Sequence, residues 1–568
     1  MNATRYKFVL FVIAVLFAIA LIKSFDIAVI HHKYYISQYT KNVFKVSKQK
    51  GKRGSIYDLS GDIYAIDYPT YSIFVDPNYF FKDLEFHMKH DKMKDYKQKV
   101  SDFIKRVSNF INIAPSTLQN IIDKNRQKHF IVLKRGISLK EFKRFTKGFV
   151  PNSFGFIKKY KRYYPDGEYS AHDIGFCFSN GNGAEGLEKY YNGYLKASNE
   201  KNIVPIDAYR YKNIRMPIDG DDLYVSLNRD IQDFVHINLK KTVEKYKAQS
   251  ATVVVMNPKN GAVIAMDSYP FYNNNRYYEF KYKNIRNRDV ADVFEPGSVF
   301  KLVTMSAALD SGIFKGNEIL YCENGRWRLK NKIIHDAHRF KWLSFDNVFV
   351  YSSNIVSAKI ALKMGKEVFY RYLIKYGFGK KTGIDTISES KGLVKDIFKV
   401  GDIDLANMAF GQGIGVTEIQ LARAYSVIAN GGYLVRPHFM EFIKKGDGYI
   451  AKYVLKKQKI LKSSTVKRIK KILYNVVERG TGKRAAVKGY FVAGKTGTAQ
   501  IPKKGSYKSK EYVASFIGFA PVSAPRIVVA VSVFNPQKGG FYGGVVAAPL
   551  FSKIVNFALH YYGIKQTK

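Results

Sequence analysis

The sequence predicts an α+β protein with an apolar N-terminal segment, a first folded region of short strands and inserted helices, and a larger second region in which one antiparallel sheet is covered by helices. Three patterns predict this. An unbroken apolar run extends from Phe8 to Ile22. Strand-like runs open the second region, helical patterns fill its middle, and strand-like runs return near its end. The first region alternates short β-branched and aromatic runs with an amphipathic helical stretch.

At the N-terminus, Arg5 and Lys7 precede the apolar run, and after Lys23, Ser24 and Asp26 a further apolar stretch covers Ile27 to Ile30. A single membrane anchor over residues 8–28 follows, with Lys23 snorkelling to the interface. Ala18-Ile19-Ala20 would suit signal cleavage, but apolar residues continue past it, which favours the anchor. Lys33, Lys41, Lys45, Lys48, Lys50, Lys52 and Arg53 crowd the far side, so the positive-inside rule alone argues against export; large domains translocate largely regardless of such charges. Residues 31–50 read as a polar stalk.

From Arg53 onward, Tyr71 to Val75 reads as a strand bounded by Pro69 and Pro77. Val100, Phe103, Ile104, Val107, Phe110 and Ile111 keep helical spacing, and Pro115 suits the first turn of the next helix. In the second region, Ala251 to Met256, Asn260-Gly261 and Ala262 to Met266 read as a β-hairpin. Tyr490 to Ala493, Val513 to Phe519 and Arg526 to Val533 read as strands, and an apolar helix closes the chain around Pro549 to Tyr562.

The formal net charge of +47 over 568 residues suits attraction to polyanions, but the lysines and arginines are spread along the whole chain, so a solvated basic surface explains them equally well. Nucleic acid is not an expected partner of an exported chain. Cys177 and Cys322 are the only cysteines: too few for a metal site of CxxC type, able to form one bridge, and more simply two buried thiols.

Three short motifs carry the chemistry: Ser298-x-x-Lys301, Ser352-Ser353-Asn354 and Lys495-Thr496-Gly497-Thr498. Each is weak alone. Ser-x-x-Lys also occurs at Ser47/Lys50, Ser198/Lys201 and Ser464/Lys467, and Ser226-Leu227-Asn228 and Lys381-Thr382-Gly383 duplicate the other two. Read by itself, Ser298/Lys301 is a helix opening with a capping serine and a solvated lysine. Only one set runs in order with the serine at a helix start, Ser-x-Asn at a helix edge or loop and Lys-Thr-Gly on a strand, the pattern of serine β-lactamases and penicillin-binding proteins. A serine hydroxyl needs a base, and spacing of three at a helix start puts Lys301 on its face. Lowering a lysine from 10.4 to near 7 costs about 4–5 kcal/mol, which burial and the neighbouring cation Lys495 can supply. Backbone N–H groups of Ser298 and Thr498 suit an oxyanion hole, Ser352 a proton relay, Asn354 a substrate amide, and Lys495, Thr496 and Thr498 a terminal carboxylate.

At these residues the sequence resembles the class B penicillin-binding proteins. The resemblance extends to Arg53-Gly54-Ser55-Ile56-Tyr57-Asp58, RYYPDGEYSAHDIGF (Arg162 to Phe176) and GAEGLEKYYNGYL (Gly183 to Leu195) in the first region, and to NRDVADVFEPGSVFK, FGQGIGVTEIQLARAYSVIANGG and FYGGVVAAPLF in the second. Leu59-Ser60 departs from the Arg-Asn or Arg-Ser that the family usually carries there. SSNIVSAKIALKMG, the Lys-Thr-Gly-Thr and the FYGGVVAAPLF close resemble the septal type more than the elongation type.

The resemblance implies a cytoplasmic tail (1–7), an anchor (8–28), a stalk (29–50), a non-catalytic, dimerisation-like pedestal domain (51–222) and a serine β-lactamase-like transpeptidase domain (223–568) outside the cytoplasmic membrane. It implies peptidoglycan D,D-transpeptidation through a Ser298 acyl-enzyme on D-Ala-D-Ala stem peptides, inhibition by β-lactams, a polytopic glycan-polymerising membrane partner and other division proteins as partners, and no metal or organic cofactor. A lateral-wall role in the same class, a β-lactamase and a β-lactam sensor are the rival readings.

Overall fold

The computed structural model describes residues 3–32, 34–35, 44–47, 51–88, 93–197, 202–205, 218–502 and 510–568. The chain divides into two compact units, Met1–Lys52 with Ala197–Gly220, and Arg53–Lys196 with Asp221–Lys568. In the first unit, α1 (Ala3–Phe25) continues through a π-helical turn, Asp26–Ile30. The apolar span Arg5–Ile30, 26 residues, has no buried residue. At 1.5 Å per residue it reaches about 39 Å, longer than a hydrocarbon core of about 30 Å. Met1 and Asn2 of the expected tail and most of the expected stalk lie outside the described residues; of the stalk, Phe44–Ser47 pairs antiparallel with Asn202–Pro205.

The second unit opens with β1 (Ile56–Asp58), β2 (Ile63–Val75), α2 (Met93–Ile111), α3 (Pro115–Asp123), β3 (Ile131–Ser138) and β4 (Phe154–Tyr163). Here β2 runs through Pro69 rather than starting after it. Pro69 lies opposite Tyr160, and the β3 ladder begins only at Thr70, so only one edge of β2 is paired at the proline and its missing N–H is tolerated. The expected helical face is the inner one: Val100, Phe103, Ile104 and Val107 are buried, with Phe103 edge-on to Phe145 and Phe154. The three pedestal motifs converge on one buried ion cluster. Glu188 receives Arg53 Nε and Arg162 Nε, each at 2.6 Å, and Arg162 also reaches Asp67 at 3.4 Å.

One seven-stranded sheet joins this region to the next. Its strand β5 (Asp222–Val225), where the expected domain boundary falls, pairs parallel with β1. The chain then forms α4 (Arg229–Tyr246) and the expected hairpin of β6 (Ser250–Met256) and β7 (Val263–Tyr269). The helical middle includes α5 (Lys301–Asp310), α6 (Asn354–Lys375) and α7 (Glu418–Ala429). Strand β8 (Met440–Lys444) returns to pair antiparallel with β5. The last elements are β9 (Ala493–Gln500), β10 (Tyr512–Ala520), β11 (Ile527–Phe534) and α8 (Gly543–Tyr561).

The central sheet has the order β9-β10-β11-β6-β7 and is antiparallel throughout, built from both ends of its domain as the sequence predicts. Val253, Val255, Phe516, Val529 and Val531 pack with Phe551 of α8 on one face. Each such side chain contributes about 1.5–3 kcal/mol on burial.

Two boundaries differ from expectation. The strand begins at Ala493, because Tyr490 instead fills the core and donates its hydroxyl to Ile564 O at 2.6 Å. Helix α8 begins at Gly543 with Pro549 inside it. Proline cannot bond the carbonyl of Val545, and the Tyr246 hydroxyl donates to that carbonyl at 2.9 Å instead. Both cysteines are buried free thiols.

Candidate active site

Ser298 lies in a single 3-10 turn, Gly297–Phe300, which runs directly into α5. Residues three apart eclipse in such a turn, so Ser298 and Lys301 share a face. Gly297 has φ 57°, and a Cβ on it would meet Thr498 O at 3.0 Å. A Cβ on Gly497 would meet Pro296 O at 2.9 Å. These two glycines let the Ser298 turn and β9 touch backbone to backbone. Ser298 is half-buried, and among the described residues its hydroxyl makes no hydrogen bond.

Lys301 belongs to a helix buried almost all round and is only 1% exposed. Its Nζ lies 2.7 Å from Ser352 O, 2.7 Å from Asn354 Oδ1 and 3.1 Å from Ser352 Oγ. Lys495 Nζ lies 2.9 Å from the same Ser352 Oγ and 3.2 Å from Thr496 O. Ser352 thus sits between the two lysines, at φ 66°, a left-handed conformation that turns both its carbonyl and its hydroxyl to Lys301. Burial pushes Lys301 well below the usual lysine range, Lys495 pushes it further, and Asp336 opposes only in part. Burial alone brings Lys495 to about 7.

The remaining expected residues line β9. Thr496 Oγ1 shares a 2.7 Å hydrogen bond with Thr481 Oγ1, and Thr498 Oγ1 accepts from Gly543 N at 3.2 Å. The Ser-x-Asn and Lys-Thr-Gly duplicates are elsewhere and occupied; of the Ser-x-x-Lys duplicates, Lys50, Ser198 and Lys201 lie outside the described residues. Asn228 caps α4 by accepting from Ile231 N, and Thr382 donates to Glu389 in a loop.

Sequence reasoning missed Asp336. Its carboxylate accepts from Ser353 Oγ at 2.6 Å, Asn354 N at 2.5 Å and Ile355 N at 3.0 Å, fixing the N-terminus of α6 and with it the Ser352-to-Asn354 turn. Nothing local marks this aspartate, since it lies in no motif and meets α6 only in the fold. Ser353, the middle residue of its motif, caps α6 by accepting from Val356 N at 3.2 Å, which a serine ahead of an apolar-periodic run does signal.

An antiparallel sheet with a serine on a turn at the start of α5 and two buried lysines bridged by Ser352 define the class, a serine acyltransferase. Two family models match the chain: the penicillin-binding protein transpeptidase domain over residues 251–556 and the penicillin-binding protein dimerisation domain over residues 48–225. A probable peptidoglycan D,D-transpeptidase PenA of Neisseria meningitidis is 32% identical over 465 residues, covering 80% of this chain and 78% of that one. The peptidoglycan D,D-transpeptidase FtsI of Escherichia coli K12 is 32% identical over 467 residues, covering 79% and 75%. In fold, penicillin-binding protein 2X of Streptococcus thermophilus matches with a TM-score of 0.77 at 23% identity, covering 91% of this chain and 80% of that one. The chain belongs to the class B penicillin-binding proteins and is a penicillin-binding serine transpeptidase.

Proposed function

We propose that this protein crosslinks peptidoglycan at the division septum, with Ser298 as nucleophile, Lys301 as its base, Ser352 as proton relay and Lys495 as the cation that holds the substrate's terminal carboxylate. The observation that carries this is Ser352 Oγ, 3.1 Å from one lysine nitrogen and 2.9 Å from the other. A neutral amine has two N–H donors and one lone pair. Ser352 O and Asn354 Oδ1, both obligate acceptors at 2.7 Å, take the two donors of Lys301, which leaves the lone pair for a hydroxyl proton.

Ser298 Oγ then attacks the carbonyl carbon of the penultimate D-Ala, its proton passing to Lys301 Nζ. Backbone N–H groups of Ser298 and Thr498 hold the developing oxyanion. The proton travels through Ser352 to the leaving D-Ala nitrogen, and the C–N bond breaks. An amine of a neighbouring strand attacks the Ser298 ester, giving its proton back along the same path and releasing the serine. Asn354 holds the stem-peptide backbone, and Thr496 and Thr498 join Lys495 at the carboxylate. A β-lactam enters the same path and stops at the ester.

In this reading α1 anchors the chain in the cytoplasmic membrane, with tail 1–7 inside, the pedestal 51–222 and the transpeptidase domain 223–568 outside, and a polytopic glycan-polymerising protein as neighbour. Septal rather than lateral work rests on the likeness to FtsI. Labelling with a fluorescent penicillin tests the chemistry: wild type forms a covalent adduct and Ser298→Ala forms none, and an adduct on the alanine variant would falsify the assignment. Depletion that gives round cells instead of filaments overturns the septal role.

A further inference from the structure

We infer that the pedestal and the transpeptidase domain are joined by a proton-dependent clasp, the row Glu168, His236, Asp267 and His172, which closes on proton uptake and loosens when its protons leave. The inference concerns the joint between the domains and does not depend on the reaction assigned to Ser298.

The row is made by both domains. Glu168 and His172 belong to the pedestal motif Arg162 to Phe176, whereas His236 stands on α4 and Asp267 on β7, the edge strand of the central sheet. The side chains of His172, His236 and Asp267 are each 2% exposed, and Glu168, at 41%, opens the row to solvent at one end. Two hydrogen bonds fix the ring tautomers. His236 Nδ1 donates to Asp267 Oδ2 at 2.9 Å and His172 Nε2 donates to Asn284 O at 2.9 Å, because a carboxylate and a carbonyl can only accept. With both rings neutral, the other two nitrogens carry lone pairs, and each faces a carboxylate oxygen. His236 Nε2 lies 3.6 Å from Glu168 Oε1, and His172 Nδ1 lies 4.0 Å from Asp267 Oδ1. Neither nitrogen has a hydrogen-bond partner among the described residues.

Acceptor facing acceptor is repulsive, and buried polar atoms rarely go unpaired. A water donating to both would hold them about 4.5 Å apart, so a proton is what fits. A proton on His236 Nε2 reaches Glu168, one on Asp267 Oδ1 reaches His172, and each contact then shortens by about 1 Å. Both new bonds run from the transpeptidase domain to the pedestal. The surroundings favour uptake. Facing the row are Asp233 of α4, Asp173 next to His172, Asp289 on the short helix Arg288–Ala291 and, beyond Asp289, Glu418 of α7. The nearby cations Arg288 and Arg229 are already paired, with Asp292 and Asp166. The rings of Tyr169 and Phe271 lie 4.3 and 3.8 Å from that of His236, which suits an imidazolium. Burial raises Asp267 to about 6, with the His236 hydrogen bond opposing in part, and lowers His172 to about 4, so His172 stays the acceptor. A carboxyl raised in the closed form stabilises that form at low pH, and the stabilisation is lost as pH rises through about 6.

The test is hydrogen–deuterium exchange of the full chain in detergent between pH 5 and pH 8, corrected for the intrinsic exchange rate and read on residues 164–176, with β10 as the folded control. Wild-type protection of that segment rises about tenfold from pH 8 to pH 5, the ratio given by a carboxyl at about 6 in the closed form and 3.8 in the open one. Asp267→Asn carries an N–H where the proton would sit, and its protection stays near the pH 5 level throughout. Glu168→Gln offers an N–H to His236 Nε2, which raises the pH 8 value and flattens the slope. If Asp267→Asn does not fold, Glu168→Gln carries the same test. Wild-type protection that changes less than about twofold across this range overturns the inference. A folded Asp267→Asn that keeps the wild-type slope, or lies flat at the pH 8 level, overturns it as well, and so does a Glu168→Gln indistinguishable from wild type.

Discussion

The Arg53–Glu188–Arg162 cluster of the pedestal and the Lys301–Lys495 pair of the transpeptidase domain are both nearly removed from solvent, and they respond in opposite ways. Burial pushes the Glu188 carboxyl up, but the guanidiniums of Arg162 and Arg53 outweigh it and hold the group below the usual carboxylate range. Burial likewise opposes the charge of Arg162, and Glu188 together with Tyr164, Asp67 and Cys177 more than restores it. In the active site two cations meet across one hydroxyl, and with no opposite charge close enough to compensate burial both lysines move towards the neutral form. Paired opposite charges keep their charge and fasten chain segments; a buried lysine without an acid partner moves towards the neutral amine, and a second cation takes Lys301 further.

The comparison breaks most readily at Lys301. Lys301→Met removes the proposed base, and acylation by a fluorescent penicillin slows by about 10²–10⁴-fold. The melting temperature stays the same or rises, because an unfavourable buried amine is gone. A fall of several degrees in melting temperature would mean that the lysine is structural.

Glu188→Gln is the opposite case. It strands two buried guanidiniums and destabilises the fold by about 3–5 kcal/mol, read by urea unfolding. What remains folded acylates normally. The pH windows differ as well. Glu188, depressed in the fold, contributes stability above its unfolded value of 4.5 that is lost as pH falls through its lower folded value. Lys495 at about 7 against 10.5 unfolded makes the fold more stable as pH rises between those values.

The smallest effect sharpens the rule with an acid that has no cation. Burial raises Glu418, at the start of α7, to about 8, with the Ser532 and Thr252 hydroxyls opposing in part. A raised carboxyl contributes stability below 4.5 that is lost as pH rises to about 8. Glu418→Gln removes that loss, so the variant melts a few degrees above wild type at pH about 9 and not at pH about 5. Equal shifts at both pH values would show that packing, not ionisation, sets the difference.

Local pattern made a large part of this legible. The apolar run at Phe8 to Ile22, the helical face from Val100 to Val107 and the hairpin after Ala251 are periodic signals that neighbours in sequence generate by themselves. Pro69 and Pro549 misled boundary placement for the same reason: an open strand edge tolerates one, and the hydroxyl of Tyr246, some 300 residues away, compensates for the other. Asp336 was invisible because its three partners lie 17 to 19 residues on, beyond the strand Trp342–Ser344 and the helix Phe345–Val350.

The sequence by itself determined which side chains are present, their order, and that Ser298 and Lys301 share a helix turn while Lys495 to Thr498 share a strand. Only the tertiary structure decided that Ser352 joins Lys301 to Lys495, two residues 194 positions apart, and that both amines are dry. Spacing can place a lysine on a face. Lowering its proton affinity takes burial and a second cation, and both come from distant segments packed together.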